Sequence, residues 1–145
     1  MFSHFLVPIS GDLVDNNHLE EIAKLAKSDT AKVTLVFVSD PMVPYMYMEG
    51  VASSPITEQG HKEFCEALAH KLFALAKTQL GGGLNVHTLH RYHTNIYEGI
   101  IQSAKECGAD VIVMSSHKRK GLTGFFMGSE THAVITHSTL PILVL

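Results

Sequence analysis

Val33-Thr34-Leu35-Val36-Phe37-Val38 is apolar at five of its six positions, most of them β-branched. A strand with one wet face alternates apolar and polar residues. A nearly continuous apolar run marks a strand covered on both faces, as in parallel sheets. Upstream, Phe5-Leu6-Val7-Pro8-Ile9 is a similar run closed by Ser10-Gly11-Asp12, the pattern of a buried strand followed by a tight turn. Between the two, Asp15 or Asn16 offers a helix cap and Glu20 and Glu21 suit a first turn. Leu19, Ile22, Ala23 and Ala26 then fall on one helical face.

Downstream, residues 40–60 hold Pro41, Pro44, Gly50, Pro55 and Gly60 and form a long irregular connection. Its Met42–Met48 stretch offers either a partner surface or a flap on the chain's own sheet. Phe64, Leu68, Leu72 and Leu75 predict an amphipathic helix that ends at Leu80, before Gly81-Gly82-Gly83. Leu84–Tyr92 is the expected third strand. Asn95 and Glu98 have capping-box spacing. The helix they open carries Tyr97, Ile100, Ile101 and Ala104 on one face and stops at Gly108. Asp110–Met114 is a fourth strand. Ser129 starts a last helix with Val134 and Ile135 inward, and Pro141–Leu145 is the fifth strand. This order implies an α/β fold: one doubly wound domain over residues 1–145, a five-stranded parallel sheet with helices on both faces, and right-handed crossovers. Ligands of such sheets bind beyond the carboxyl ends of the strands, where strand order reverses.

A chain of 145 residues suffices for one core. No stretch approaches the ~20 apolar residues of a membrane span, and a net charge of −3 gives no basic footprint for nucleic acid. Met1-Phe2-Ser3-His4 has no basic export region. Cys65 and Cys107 lack metal spacing, which points to reduced thiols on helices and a cytoplasmic location.

The segment from Val113 to Ser129 carries the chemistry. It leaves a buried strand, passes Ser115, Ser116, His117, Lys118, Arg119 and Lys120, and enters a helix at Gly128-Ser129. Unbonded N–H groups at a helix start attract anions. Gly128 permits close backbone approach, serine hydroxyls bond phosphate oxygens, and the cations neutralise charge. The alternative is a solvated basic loop before an ordinary helix.

This segment, with Glu130–Leu145, Phe5–Ser10, Val33–Asp40 and Gly108–Met114, resembles the universal stress protein (UspA-like) family over essentially the whole chain. The resemblance implies a Rossmann-like sheet of the adenine nucleotide alpha hydrolase type, and a homodimer. In one branch it also implies ATP or another adenine nucleotide, with Mg2+. That branch's motif is a glycine, two residues, a glycine, nine residues, then Gly-Ser or Gly-Thr. Gly128-Ser129 is intact here, whereas Ser115 and Lys118 stand at the first two glycines and Ser10 replaces an aspartate common near the ribose. Val38 matches the position whose backbone meets adenine. The implied nucleotide site is Pro8, Ile9, Ser10, Val38, Met114, Ser115, His117, Lys118, Gly128, Ser129, Glu130 and Thr131.

Ten histidines raise the question of a metal. His87, His90 and His93 recur every third residue, which alternates faces on a strand. His132 and His137 are five apart, which misses one helical face. No metal site and no catalytic residues are expected. No G-x-S-x-G elbow or Walker lysine motif occurs, and no base for a nucleophile is evident. His137 suits a helix C-terminus. The expected function is a stress-response binding and signalling protein holding an adenine nucleotide, or an anion, at 115–129. The alternatives are a nucleotide-free relative acting through unidentified protein partners, and a small nucleotide-processing enzyme needing a base near Ser115. Dimerisation is expected through Ile142-Leu143-Val144-Leu145, an apolar edge that begins at Pro141.

Overall fold

A computed structural model describes residues 1–10, 17–42, 57–115 and 128–145. Its elements are β1 (His4–Pro8), α1 (His18–Asp29), β2 (Lys32–Ser39), α2 (Glu58–Leu80), β3 (Val86–Tyr92), α3 (Ile96–Cys107), β4 (Val111–Met114), α4 (Ser129–His137) and β5 (Ile142–Val144). The strands form one parallel sheet in the order β3-β2-β1-β4-β5. Strand order reverses between β1 and β4. Among the described residues, no helix is long and apolar enough to cross a membrane.

The two-faced strands have the predicted consequence. Phe5, Val7, Val33, Leu35, Val111 and Val113 pack with Leu19, Ile22, Ala26, Leu72, Ala76 and Leu80 of α1 and α2. Leu6, Val36, Val38, Ile112 and Met114 point the other way, onto Ile100 and Ala104 of α3 and Val134 of α4. Each fully buried Leu, Ile or Val contributes roughly 1.5–3 kcal/mol.

Local signals are partly overruled. Asp15 and Asn16 lie outside the described residues. Asn17 takes the cap position of α1, in a left-handed conformation and without a side-chain cap bond. The buried face of α2 is Cys65, Ala69, Leu72, Ala76 and Leu80; of the predicted stripe, Leu72 is buried and Leu68 packs on the core, while Leu75 faces out and Phe64 is 64 % exposed. The Asn95 side chain makes no cap bond, and the Glu98 carboxylate meets Tyr97 and His93 while the Asn95 N–H donates to His93 Nδ1. In α4 the inward residues are Thr131 and Val134, and Ile135 faces out. α1 ends as expected of a helix that turns back into a strand: Thr30 N–H bonds to Lys27 O and Ala31 N–H to Ala26 O. Thr30 has φ 54° there, a conformation that costs a residue with a Cβ roughly 1–2 kcal/mol. At the end of α3, Gly108 fills the equivalent turn with φ 72°.

At the ends of the strands where they begin, Asp110 ties β1 to β4. Its Oδ2 accepts from Ser3 N–H (2.8 Å) and the Ser3 hydroxyl (2.7 Å), and its Oδ1 accepts from His4 N–H (2.9 Å). Burial pushes the Asp110 carboxyl up, but these bonds together outweigh it and hold its pKa below the ordinary value. Asp29 is lowered chiefly by the Phe2 N–H. His4 is lowered by burial and then by Lys32. His90 is lowered by burial, against an opposing pull from Glu66. Every one of these groups is depressed in the fold. Each therefore contributes stability that is complete above its unfolded pKa and lost as pH falls through its folded value. The histidines act first, below about pH 6.5, and the aspartates below about pH 4. The urea midpoint is expected to fall from pH 7.5 to 5.5, and His4→Gln with His90→Gln should flatten that fall. An unchanged parent midpoint at pH 5.5 would refute the assignment.

Candidate functional site

A crevice opens where strand order reverses, and the register explains it. β1 and β4 pair at Phe5↔Val111 and Leu6↔Ile112 only. β1 runs on to Pro8 and β4 to Met114 without pairing to each other, so their carboxyl ends part. The cavity between them holds about 230 Å³ and is lined by Pro8, Ile9, Ser10, Val36, Phe37, Val38, Ile96, Ile100, Met114, Ser115, Glu130 and Thr131.

Two backbone features give it polarity. Ile9 N–H bonds Val36 O at 2.8 Å and His93 N–H bonds Ser39 O at 2.9 Å. The N–H and C=O of one strand residue point the same way, and neighbours along the strand point oppositely. The Val38 N–H and C=O are therefore turned toward β1, beyond the last β1·β2 pair at Pro8↔Val36. Among the described residues, no backbone partner meets the Val38 N–H. That edge presents a donor and an acceptor side by side, which a planar heterocycle with the reverse pattern can read. The second feature is the start of α4. Gly128 precedes it with φ −63° and ψ 154° and, as a glycine, has no side chain of its own to cap the first turn. Helix-start N–H groups left in this way are anion donors. Glu130 and Thr131 of that first turn line the cavity, and Glu130 adds a negative charge beside it.

The expected site residues Pro8, Ile9, Ser10, Val38, Met114, Ser115, Glu130 and Thr131 all line one cavity, with Gly128 and Ser129 adjoining at the helix start. His117 and Lys118 lie outside the described residues, as do Ser116, Arg119, Lys120 and most of Met42–Met48. Sequence reasoning missed Ile96, and it named Val36, Phe37 and Ile100 only as strand and helix packing. An i, i+4 apolar pair opening the helix after β3 was the available signal for Ile96 with Ile100. It also missed His18, whose Nδ1 lies 2.6 Å from Ser115 Oγ. A base near Ser115 was not evident in the sequence, and this contact across the sheet supplies an imidazole there.

Other histidines are accounted for locally. His90 Nε2 and Ser39 Oγ share a 2.8 Å bond, and His93 faces Glu98 at 3.7 Å. His137 stacks on Tyr97 with ring centroids 5.0 Å apart. The Tyr97 hydroxyl donates to Glu98 (3.1 Å); that bond, then burial, raises its pKa, with Glu98 and Glu130 adding negative charge. Among the described residues, no three His, Cys, Asp or Glu side chains gather as a metal site.

A match to the universal stress protein family spans residues 1–145. The chain belongs to that family. Universal stress protein YxiE of Bacillus subtilis is 29% identical over 99% of both chains. Among solved structures, hypothetical protein MJ0577 superposes with a TM-score of 0.73 at 23% identity, covering 100% of this chain and 96% of that one. A universal stress protein from Archaeoglobus fulgidus in complex with dAMP gives 0.63 at 14% identity, over 98% and 96%. A universal stress protein in complex with cAMP gives 0.62 at 16%, over 99% and 96%. These likenesses bear out the five-stranded parallel α/β fold.

Proposed function

We propose that this universal stress protein is a stress-response binding and signalling module that holds an adenine nucleotide in the crevice between β1 and β4. The observation that carries the reading is the pairing of two recognition features in one cavity: the Val38 backbone edge for the base and the α4 start for a phosphate. Apolar walls from Ile96, Ile100 and Met114 suit the faces of a purine. Structural relatives in complex with dAMP and with cAMP support the ligand class. ATP, with Mg2+, extends that class by two further phosphates beyond AMP. Lys118 is then a cation for its outer phosphates, while Glu130 opposes added negative charge. The module works in the cytoplasm as a homodimer joined through β5, and its ligand state alters contacts with partner proteins.

Calorimetric titration with adenosine, AMP and Mg-ATP tests this. All three are expected to bind, and Glu130→Gln should tighten the phosphorylated ligands by about three- to tenfold, on the scale of one screened charge at close range. No heat from any of the three at millimolar concentration would remove the reading.

The His18–Ser115 contact favours a second reading, slow nucleotide hydrolysis with His18 as base. Its test is phosphate release from ATP by the parent and by His18→Ala. Equal rates would dismiss it.

A further inference from the structure

The family's motif has a glycine where this chain has Ser115, and a side chain there must be accommodated at the mouth of the cavity. The structure places it. The Ser115 hydroxyl is held at 2.6 Å by Nδ1 of His18, the first residue of α1, which arrives from the other side of β1. Ser115 lines the cavity, and His18 stands behind it, half-buried.

We infer that His18 and Ser115 form a paired recognition element for the ligand's phosphate, with Ser115 in contact and His18 as its positioning residue. This rests on the nucleotide reading above and adds the phosphate side of the site. The chemistry follows from the two arrangements of the bond. With the proton on Nδ1, the ring donates to Ser115 Oγ, and the hydroxyl donates onward to an anion in the cavity. With Nδ1 bare, the hydroxyl donates to the ring and turns lone pairs toward the ligand. An anion selects the first arrangement, because donor bonds to a charged acceptor are about twice as strong as neutral ones. The chain thus replaces a backbone approach through glycine by a hydroxyl whose direction an imidazole fixes. Held in one direction, that hydroxyl loses less freedom on binding than an unanchored serine would.

The probes are adenosine and AMP, which differ by one phosphate. His18→Ala is expected to weaken AMP on the order of tenfold and leave adenosine within about twofold. His18→Asn, which keeps a side-chain amide near the Nδ1 position, should restore most of the AMP affinity. In a Ser115→Gly background, His18→Ala should cost AMP nothing further, because the group it positions is gone. Equal losses of AMP and adenosine, unchanged AMP affinity, or a full His18→Ala loss that persists in Ser115→Gly would each overturn the inference. So would a loss of ATP turnover in His18→Ala with AMP binding intact, which would make the pair catalytic. A parent that binds neither probe removes the nucleotide reading itself, and this inference with it.

Discussion

Gly99→Ala is expected to lower both stability and ligand affinity, although alanine is the better helix former. A Cβ built at Gly99 would lie 2.8 Å from Val38 Cγ1, 3.3 Å from Val38 Cγ2 and 3.1 Å from His93 Cβ. These are not yielding neighbours. Val38 is a β-branched strand residue, 8 % exposed, with a stiff χ1. The substitution gains up to about 1 kcal/mol of helix propensity, whereas overpacking a well-fitted contact costs typically 1–3 kcal/mol. The second effect prevails, for a net loss of roughly 1 kcal/mol, and Gly99→Val should lose about 3. The functional consequence is larger. Val38 supplies the backbone edge of the cavity, and Ile96 and Ile100 of the same helix form its wall. Pushing α3 off β2 moves both sides of the proposed base site together. Adenosine and AMP should therefore weaken equally, by more than tenfold, unlike the phosphate-selective loss expected of His18→Ala. Urea unfolding and calorimetry measure the two effects. A Gly99→Ala protein as stable as the parent, or one binding adenosine as well, would show that this contact does not set the site.

How far the sequence reaches can be seen element by element. Val33–Val38 and Val111–Met114 announce themselves because a strand buried on both faces has no polar alternation to obscure it. The helical faces are less legible. On α2 the sequence draws attention to Phe64 and Leu75, yet Ala69 and Ala76 meet the core while those larger residues stand exposed. Where a helix packs closely on a sheet, small side chains permit the approach, and hydrophobicity alone does not rank them first. Ser129 and Glu130 likewise open α4 as read, but Ile135 points outward and Thr131 inward. The site is legible to the extent that it lies at strand ends and at a helix start, positions fixed by topology. His18 is not, since it meets Ser115 across 97 positions of sequence, and only the strand order brings α1 and the end of β4 together. Residues that act through such contacts carry no local pattern.

Val144→Lys is expected to convert a dimer into a monomer. The sheet has two edges, β3 and β5, and their compositions favour β5 as the pairing edge of the proposed homodimer. β3 is Val86-His87-Thr88-Leu89-His90-Arg91-Tyr92, with His87 and Thr88 exposed and Arg91 engaged by Glu106 and Ser103. Polar and charged groups of this kind blunt an edge. β5 is Ile142-Leu143-Val144, wholly apolar and only half-buried, with Pro141 just before it and Leu145 N–H continuing its pairing to Met114 O. Nothing in its composition deters a second strand. Its brevity limits the backbone bonds available, so apolar side chains must supply most of the association. Self-pairing about a two-fold axis places the Val144 of both copies in one interface, which doubles the effect of a substitution. Losing one buried valine costs about 1.5–3 kcal/mol, and a buried lysine adds a desolvation penalty. Two copies together should weaken the dimer by well over a hundredfold. Light scattering at tens of micromolar should then give the parent twice the chain mass of 15.9 kDa and the variant that mass itself. Thr88→Lys on the opposite edge should leave the dimer intact. A monomeric parent, or a Val144→Lys protein that still dimerises, would rule out β5 as the interface.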